Sequence, residues 1–182
     1  MRYLRFLAPA FLAVLSCVPA SAEIAVSPKG WLSFCVAHPS FCAKSEPASV
    51  PVAGRETIIE LNRRVNASIL PQTDRAKVSP DYWQVAAPQG LGDCKSYALT
   101  KWMLLTWSGV PAGAMRLATV HVPGAPASED HVVLIVKIGT VSYVLDNLTD
   151  IVWPAGSVAY EWLSVQEDGN PWQWVELAAA PQ

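Results

Sequence analysis

The hydrophobic pattern of this chain changes period once, at Gly109-Val110-Pro111, and that change limits the folds open to it. Before it, apolar residues recur at helical spacing. Ile58, Leu61, Val65 and Ile69 mark a helix over about 57–70, with Arg55, Glu56, Arg63 and Arg64 among its polar positions and Pro71 closing it. A second helix is predicted from Asp93 as N-cap to about 108, stopped by Gly109. Its Ala98, Trp102, Met103 and Leu105 make it apolar enough to lie centrally. Beyond the change, 115–122, 131–138, 141–148, 159–165 and 172–177 read as strands. Helices followed by a block of antiparallel strands imply an α+β fold, with the second helix packed on the sheet.

The N-terminus reads as an export signal. Arg2 and Arg5 precede a mostly apolar run over 6–18, and Ala20-Ser21-Ala22 offers a small-x-small cleavage site before Glu23. Residues 1–22 are therefore expected to be a signal peptide and 23–182 a single domain, placed in the periplasm or secreted from a bacterium. The apolar run is too short to span a bilayer comfortably, and no later stretch offers a span. With 52% hydrophobic and 15% charged residues the mature chain has the composition of a folded domain. A formal net charge of −2 gives no electrostatic case for nucleic acid.

Cysteine usage sharpens this. Cys17 lies in the leader, and Cys35 and Cys42 stand close together in a Pro/Ser-rich stretch over 23–53 that reads as an extended lead-in. In an oxidising compartment they are expected to close a disulfide. Such a clip stabilises by roughly 2–3 kcal/mol on the chain-entropy model. Cys94 is left over, as a free reactive thiol or an intermolecular bridge.

If Asp93 is the N-cap, Cys94 takes the first helical position, where unpaired N–H groups and the helix dipole favour a thiolate. Downstream, His131 opens one strand and Asp146 lies near the end of the next. Gly139-Thr140 between them suits a two-residue type II′ turn. That turn pairs Ile138 with Val141 and Val136 with Tyr143; continued outward, it pairs Val133 with Asp146 and His131 with Leu148. His131 and Asp146 then share a face as diagonal neighbours, roughly 7 Å apart at Cβ. A loop one residue longer or shorter would separate them. The bland readings are a structural histidine and an Asp-Asn turn. Two histidines compete with His131: His38, inside the presumed disulfide loop, reads as structural, and His121 has no carboxylate in matching register.

Several blocks taken together are similar to one family. Gly30-Trp31-Leu32-Ser33-Phe34-Cys35 with His38-Pro39 and Cys42, then Asn62, Val65 and Asn66, Asp81-Tyr82-Trp83-Gln84, Gly92-Asp93-Cys94 and the stretch from Tyr143 to Asp150 resemble the bacterial transglutaminase-like cysteine proteinases. The resemblance implies a papain-like or transglutaminase-like fold, with Cys94 as nucleophile, His131 as base and Asp146 as orienting carboxylate. It also implies hydrolysis of a peptide bond, through a thioester, in an extracytoplasmic polypeptide such as a surface or envelope protein. The N–H of Cys94 is expected in the oxyanion hole, with a second donor among Trp83, Gln84 and Gln89.

Two other functions fit the same residues: transglutaminase-type transfer of the acyl group to an amine, and a catalytically inactive binding protein whose eight Trp include groove residues. One departure concerns cofactors. Family members usually carry acidic residues directly after the cysteine, and those that bind calcium use carboxylates flanking it. Here Lys95 and Ser96 stand there, with only Asp93 retained. A hard cation needs several oxygen ligands, so no cofactor is expected and calcium is expected to be dispensable. Lys95 reads as a solvated first-turn lysine, or alternatively as a cation supporting the thiolate.

Overall fold

In the computed structural model, which describes residues 23–72, 82–126 and 129–181, the change of period at Gly109 separates a helical half from a sheet. Helices α1 (Trp31–Ala37), α2 (Arg55–Ser68) and α3 (Cys94–Trp107) come first. Strand β1 (Ile24–Ala25) joins β4 (Met115–His121), β5 (Asp130–Ile138), β6 (Val141–Leu145), β7 (Trp153–Pro154), β8 (Glu161–Glu167) and β9 (Asn170–Glu176) in one antiparallel sheet of order β1-β9-β8-β4-β5-β6-β7. The short strands β2 (Leu70–Pro71) and β3 (Leu91–Gly92) pair in parallel just before α3. This is the α+β arrangement expected from the pattern. The proposed leader over 1–22 lies outside the described residues.

The central strands are covered on both faces. On one, Ile58 of α2 and Ala98, Leu99, Trp102 and Leu105 of α3 pack with Leu117, Val132, Leu134, Val136 and Leu145. On the other, Ala118, Val120, Val133, Ile135, Val144, Trp162 and Val165 form a second apolar layer. Burial on both sides is why β5 reads as a continuous apolar run and not as an alternation. Trp31, Trp83, Trp102, Trp162 and Trp174 are core residues, so tryptophan serves the interior more than any groove.

Three sequence expectations change. The 23–53 stretch is not simply an extended lead-in: Trp31, Phe34 and Cys35 share a buried face at helical spacing and form α1. Trp31 Nε1 donates to the Pro171 carbonyl at 2.8 Å, and the Cys35–Cys42 disulfide pins the following turn. Helix α2 ends at Ser68, before Pro71. Leu70 and Pro71 are extended, with Leu70 N–H donating to the Gly90 carbonyl and Gln72 N–H to that of Gly92. Pro71 therefore lies within a strand and is not the helix stop.

The hairpin keeps its expected register at first. Gly139 has φ +60, as the first central position of a II′ turn requires, and Ile138–Val141, Val136–Tyr143 and Leu134–Leu145 pair. The ladder then stops at Leu145, so the expected Val133–Asp146 and His131–Leu148 pairs do not form. The cause is a competing contact: Asn66 of α2 donates to the carbonyls of Asp146 at 2.9 Å and Thr149 at 3.0 Å, holding the chain in a turn.

Candidate active site

Helix α3 begins as its sequence dictates. Asp93 is extended (φ −94, ψ −178) and its Oδ1 accepts from Ser96 N–H at 3.1 Å, so Cys94 is the first helical residue. The backbone N–H groups of that first turn have no intrahelical acceptor. Cys94 is partly buried and, among the described residues, is the free cysteine.

His131 and Asp146 meet despite the shortened ladder. His131 Nε2 lies 2.7 Å from Asp146 Oδ1, which also accepts from Leu148 N–H at 3.1 Å. Tyr160 donates its hydroxyl to Asp146 Oδ2. The Tyr160 ring stands edge-on to the His131 ring at 6.4 Å between centroids. With Nε2 engaged by Asp146, Nδ1 is the nitrogen left to face Cys94, whose thiol is also a hydrogen-bonding partner of His131. Cys94 packs against the helix-side core and Tyr160 against the opposite layer, which places His131 at the sheet end, where the two layers meet.

Charge follows from this packing. Burial alone would lower the His131 pKa, but hydrogen bonds and charge from Asp146 and Cys94 outweigh it and raise the imidazole to about 9. Burial likewise works against ionised Asp146. His131, Tyr160 and Leu148 N–H overcome it and hold the carboxyl below its ordinary value. Tyr160 is pushed up, by burial first and then by the Asp146 carboxylate. The three groups that the sequence nominated are brought together, with the imidazole between thiol and carboxylate.

The competing residues fall elsewhere. His38 packs at a tilt against Phe34, 4.6 Å between ring centroids, beside the disulfide. His121, at the end of β4, lies directly opposite Asp130 and Glu161, which corrects the expectation that it has no carboxylate in register, but it is His131 that meets Asp146 and the thiol. Trp83 donates its ring N–H to the Lys29 carbonyl at 2.8 Å, so that group is already committed. Gln84 and Gln89 are exposed. Lys95 is not a solvated lysine. It is 7% exposed, and its ammonium folds back onto Asp93 Oδ2 because α3 and its cap enclose the first turn.

Two contributors were not singled out for a role from sequence. Tyr160, in the segment before β8, carried no local signal. Asn62 and Asn66, one turn apart on α2, tie down the Asp146–Asp150 turn; Asn62 is fully buried and donates to the carbonyls of Thr149 and Asp150 at 3.3 and 3.2 Å. Two asparagines four positions apart on an amphipathic helix were the available sign.

Whole-chain comparison fits this geometry. The family model described as bacterial transglutaminase-like cysteine proteinase matches residues 21–182. The chain belongs to that family. Among solved structures, calcium-bound LapG of Legionella pneumophila is similar at 19% identity and TM-score 0.58, covering 70% of this chain and 71% of that one. EGTA-treated LapG from the same organism is similar at 20% identity and TM-score 0.54, over 68% of each chain. At such identities these likenesses speak to the transglutaminase-like fold. No curated protein matches the chain.

Calcium is therefore relevant to a structural neighbour of this proteinase, and the residues present here can be tested against it. Among the described residues no three His, Cys, Asp or Glu side chains group as metal ligands. Asp93, the remaining carboxylate beside the thiol, has Oδ1 taken by Ser96 N–H and Oγ and Oδ2 taken by the Lys95 ammonium. A divalent cation would have to displace an attached one. Among the described residues, the donor set does not fit calcium.

Proposed function

We propose that this chain is an exported cysteine peptidase that cleaves a peptide bond in an extracytoplasmic polypeptide, with Cys94 as nucleophile, His131 as acid and base, and Asp146 as orienting carboxylate. The observation that carries the reading is the His131 ring, engaged at Nε2 by a buried carboxylate and hydrogen-bonded as well to the thiol at a helix start. A histidine held at about 9 rests as imidazolium at neutral pH, the form that hands its proton to the leaving amine once the sulfur has attacked as thiolate.

The Cys94 sulfur attacks the substrate carbonyl carbon, and the carbonyl π-electrons move onto oxygen. The unpaired Cys94 N–H faces that oxyanion as one donor. Gln84 or Gln89 remains to supply the second. Collapse breaks the C–N bond, and the His131 Nδ1 proton goes to the leaving amine, which gives a thioester. Now neutral, His131 takes a proton from water as its oxygen attacks the thioester carbonyl; collapse breaks the C–S bond, returns the electron pair to the Cys94 sulfur and releases the acid. Asp146 keeps the Nε2–H in place throughout and stabilises the imidazolium.

The compartment belongs to the same proposal. Support comes from the leader-like sequence over 1–22 and from the Cys35–Cys42 disulfide, which suits an oxidising environment. Among the described residues no helix is long and apolar enough to cross a membrane. On the Asp93–Lys95 pair we read calcium as dispensable. Melting temperature and hydrolysis should be equal in calcium and in EGTA; activity abolished by chelator and restored by calcium alone would defeat that point.

The test of function is an envelope extract treated with wild-type protein or with Cys94→Ala, the products being compared by mass spectrometry. New protein termini are expected with the wild type and none with the variant, which should melt as the wild type does. Cleavage by Cys94→Ala would refute the assignment.

A further inference from the structure

Lys101 lies about two turns along α3 from Cys94, and no step above uses it. Its side chain is 0% exposed, and its ammonium has no hydrogen-bond partner among the described residues. The Tyr97 ring, 6.0 Å away, is at the outer limit of a cation–π contact. A buried unpaired ammonium is a costly group to retain. Burial lowers it to about 7, with the carboxylates of Asp146 and Asp150 opposing that fall.

A matching deficit lies at the Asp146–Asp150 turn, whose two carboxylates act on that ammonium. Asn62 and Asn66 spend their Nδ2 groups on the Asp146–Asp150 turn, Asn66 also reaching Asp150 Oδ1 at 3.0 Å. Those bonds fix both amides and leave each Oδ1 buried without a donor. Asn147 Oδ1, in the turn itself, is in the same condition. An ammonium carries three N–H donors. Three acceptors lacking donors and one such ammonium, gathered about a single turn, are complementary either directly or through internal water.

We propose that Lys101 is a positioning residue: its ammonium, shared with the free Oδ1 atoms of Asn62, Asn66 and Asn147, fixes the Asp146–Asp150 turn against α2 and α3 and keeps Asp146 charged and aimed at His131. The inference rests on the assignment of Asp146 to the triad. The other charged or titratable groups nearby are Tyr97 on α3, His131 on β5, Tyr160 beyond Asp146, and Arg63 on α2, whose charge reaches Asp150. None of them supplies a buried cation on the helix side of the turn.

This reading separates stability from reactivity. The ammonium binds its proton less readily when folded, so its cost is fully present below about pH 7 and is relieved as pH rises towards 10.5. Asp146, in contrast, benefits from it at acid pH.

The experiment is Lys101→Met, which keeps the aliphatic stem and removes the charge. Melting temperature is followed from pH 5 to 8, and Cys94 alkylation by iodoacetamide from pH 4 to 9, with Cys94→Ala as blank. Removing the ammonium strands the Asn62, Asn66 and Asn147 acceptors but also relieves its buried charge, so the melting temperature of the variant is expected to gain on that of the wild type as pH falls from 8 through 7. Its alkylation should nonetheless lose reactivity on the acid side, the limb moving up by about one pH unit. That is about a tenfold slower rate on the limb. An unmoved limb overturns the proposal; so does a melting difference that stays constant from pH 5 to 8, or a variant that fails to fold, since Lys101 would then be purely structural. Should wild-type Cys94 alkylate no faster than free cysteine, the triad assignment fails on its own, while the melting comparison still judges Lys101.

Discussion

Asp93 and Asp146 are two carboxylates beside the same thiol, and they are held in opposite ways. Asp93 is satisfied locally: Ser96, three positions on, gives it an N–H and a hydroxyl, and Lys95, two positions on, gives it an ammonium. Asp146 is satisfied from a distance, by His131 fifteen positions back and Tyr160 fourteen ahead, in a turn clamped by Asn66 eighty positions away. The first arrangement forms with one helical turn and fixes where the sulfur sits. The second exists only once α2, the hairpin and the segment before β8 have assembled. Damage to Asp93 should therefore appear mainly as stability, and damage to Asp146 mainly as chemistry.

Asp146→Asn is the sharpest way to break that contrast. It keeps the shape but removes the charge that holds the imidazolium, and hydrolysis should fall by about a thousandfold or more. The alkaline limb of the pH–rate profile should drop from about 9 towards the ordinary imidazole value of 6.5. Next in size is Tyr160→Phe, which strands one oxygen of a buried carboxylate. A lost hydrogen bond to a charged group should cost about 1.5–3 kcal/mol in denaturant unfolding. Smallest in its effect on hydrolysis is Asp93→Ala, which should cost stability instead: about 1–2 kcal/mol as a lost N-cap and more because the Lys95 ammonium is left buried without its partner. If Asp93→Ala cost more activity than Asp146→Asn, the division of roles would be reversed.

The same contrast predicts how stability depends on pH. His131 is raised from 6.5 to about 9 in the fold, so its contribution is fully present below 6.5 and is lost as pH rises through 9. Asp146 is lowered from 3.8, so its contribution is present above 3.8 and is lost as pH falls through its folded value. Unfolding free energy should lie flat between those windows and decline beyond each, the alkaline decline being offset in part above pH 7 by relief of the Lys101 ammonium. In Asp146→Asn both declines should shrink together.

What the sequence disclosed follows the same line between near and far. The Asp93 cap, the start of α3 and the Gly139 turn are written in a few adjacent residues, and each appears where the local pattern put it. The meeting of His131 with Asp146 was legible because a two-residue turn fixes register over several pairs. The end of that ladder was not, because Asn66 of α2 competes for the Asp146 carbonyl and no local signal reports it. Tyr160 was hidden for a similar reason. Lys95 misled because a lysine on a first turn is ordinarily solvated, whereas here the cap beside it supplies a buried partner.

The central claim is that one imidazole is shared by a carboxylate and a thiol. Titration of the His131 ring by NMR, in the wild type and in Cys94→Ala, tests it most directly. The account expects a value near 9 in the wild type and a lower one in the variant, still above 6.5 because Asp146 remains. A wild-type ring that titrates near 6.5 and ignores the loss of the sulfur would contradict it.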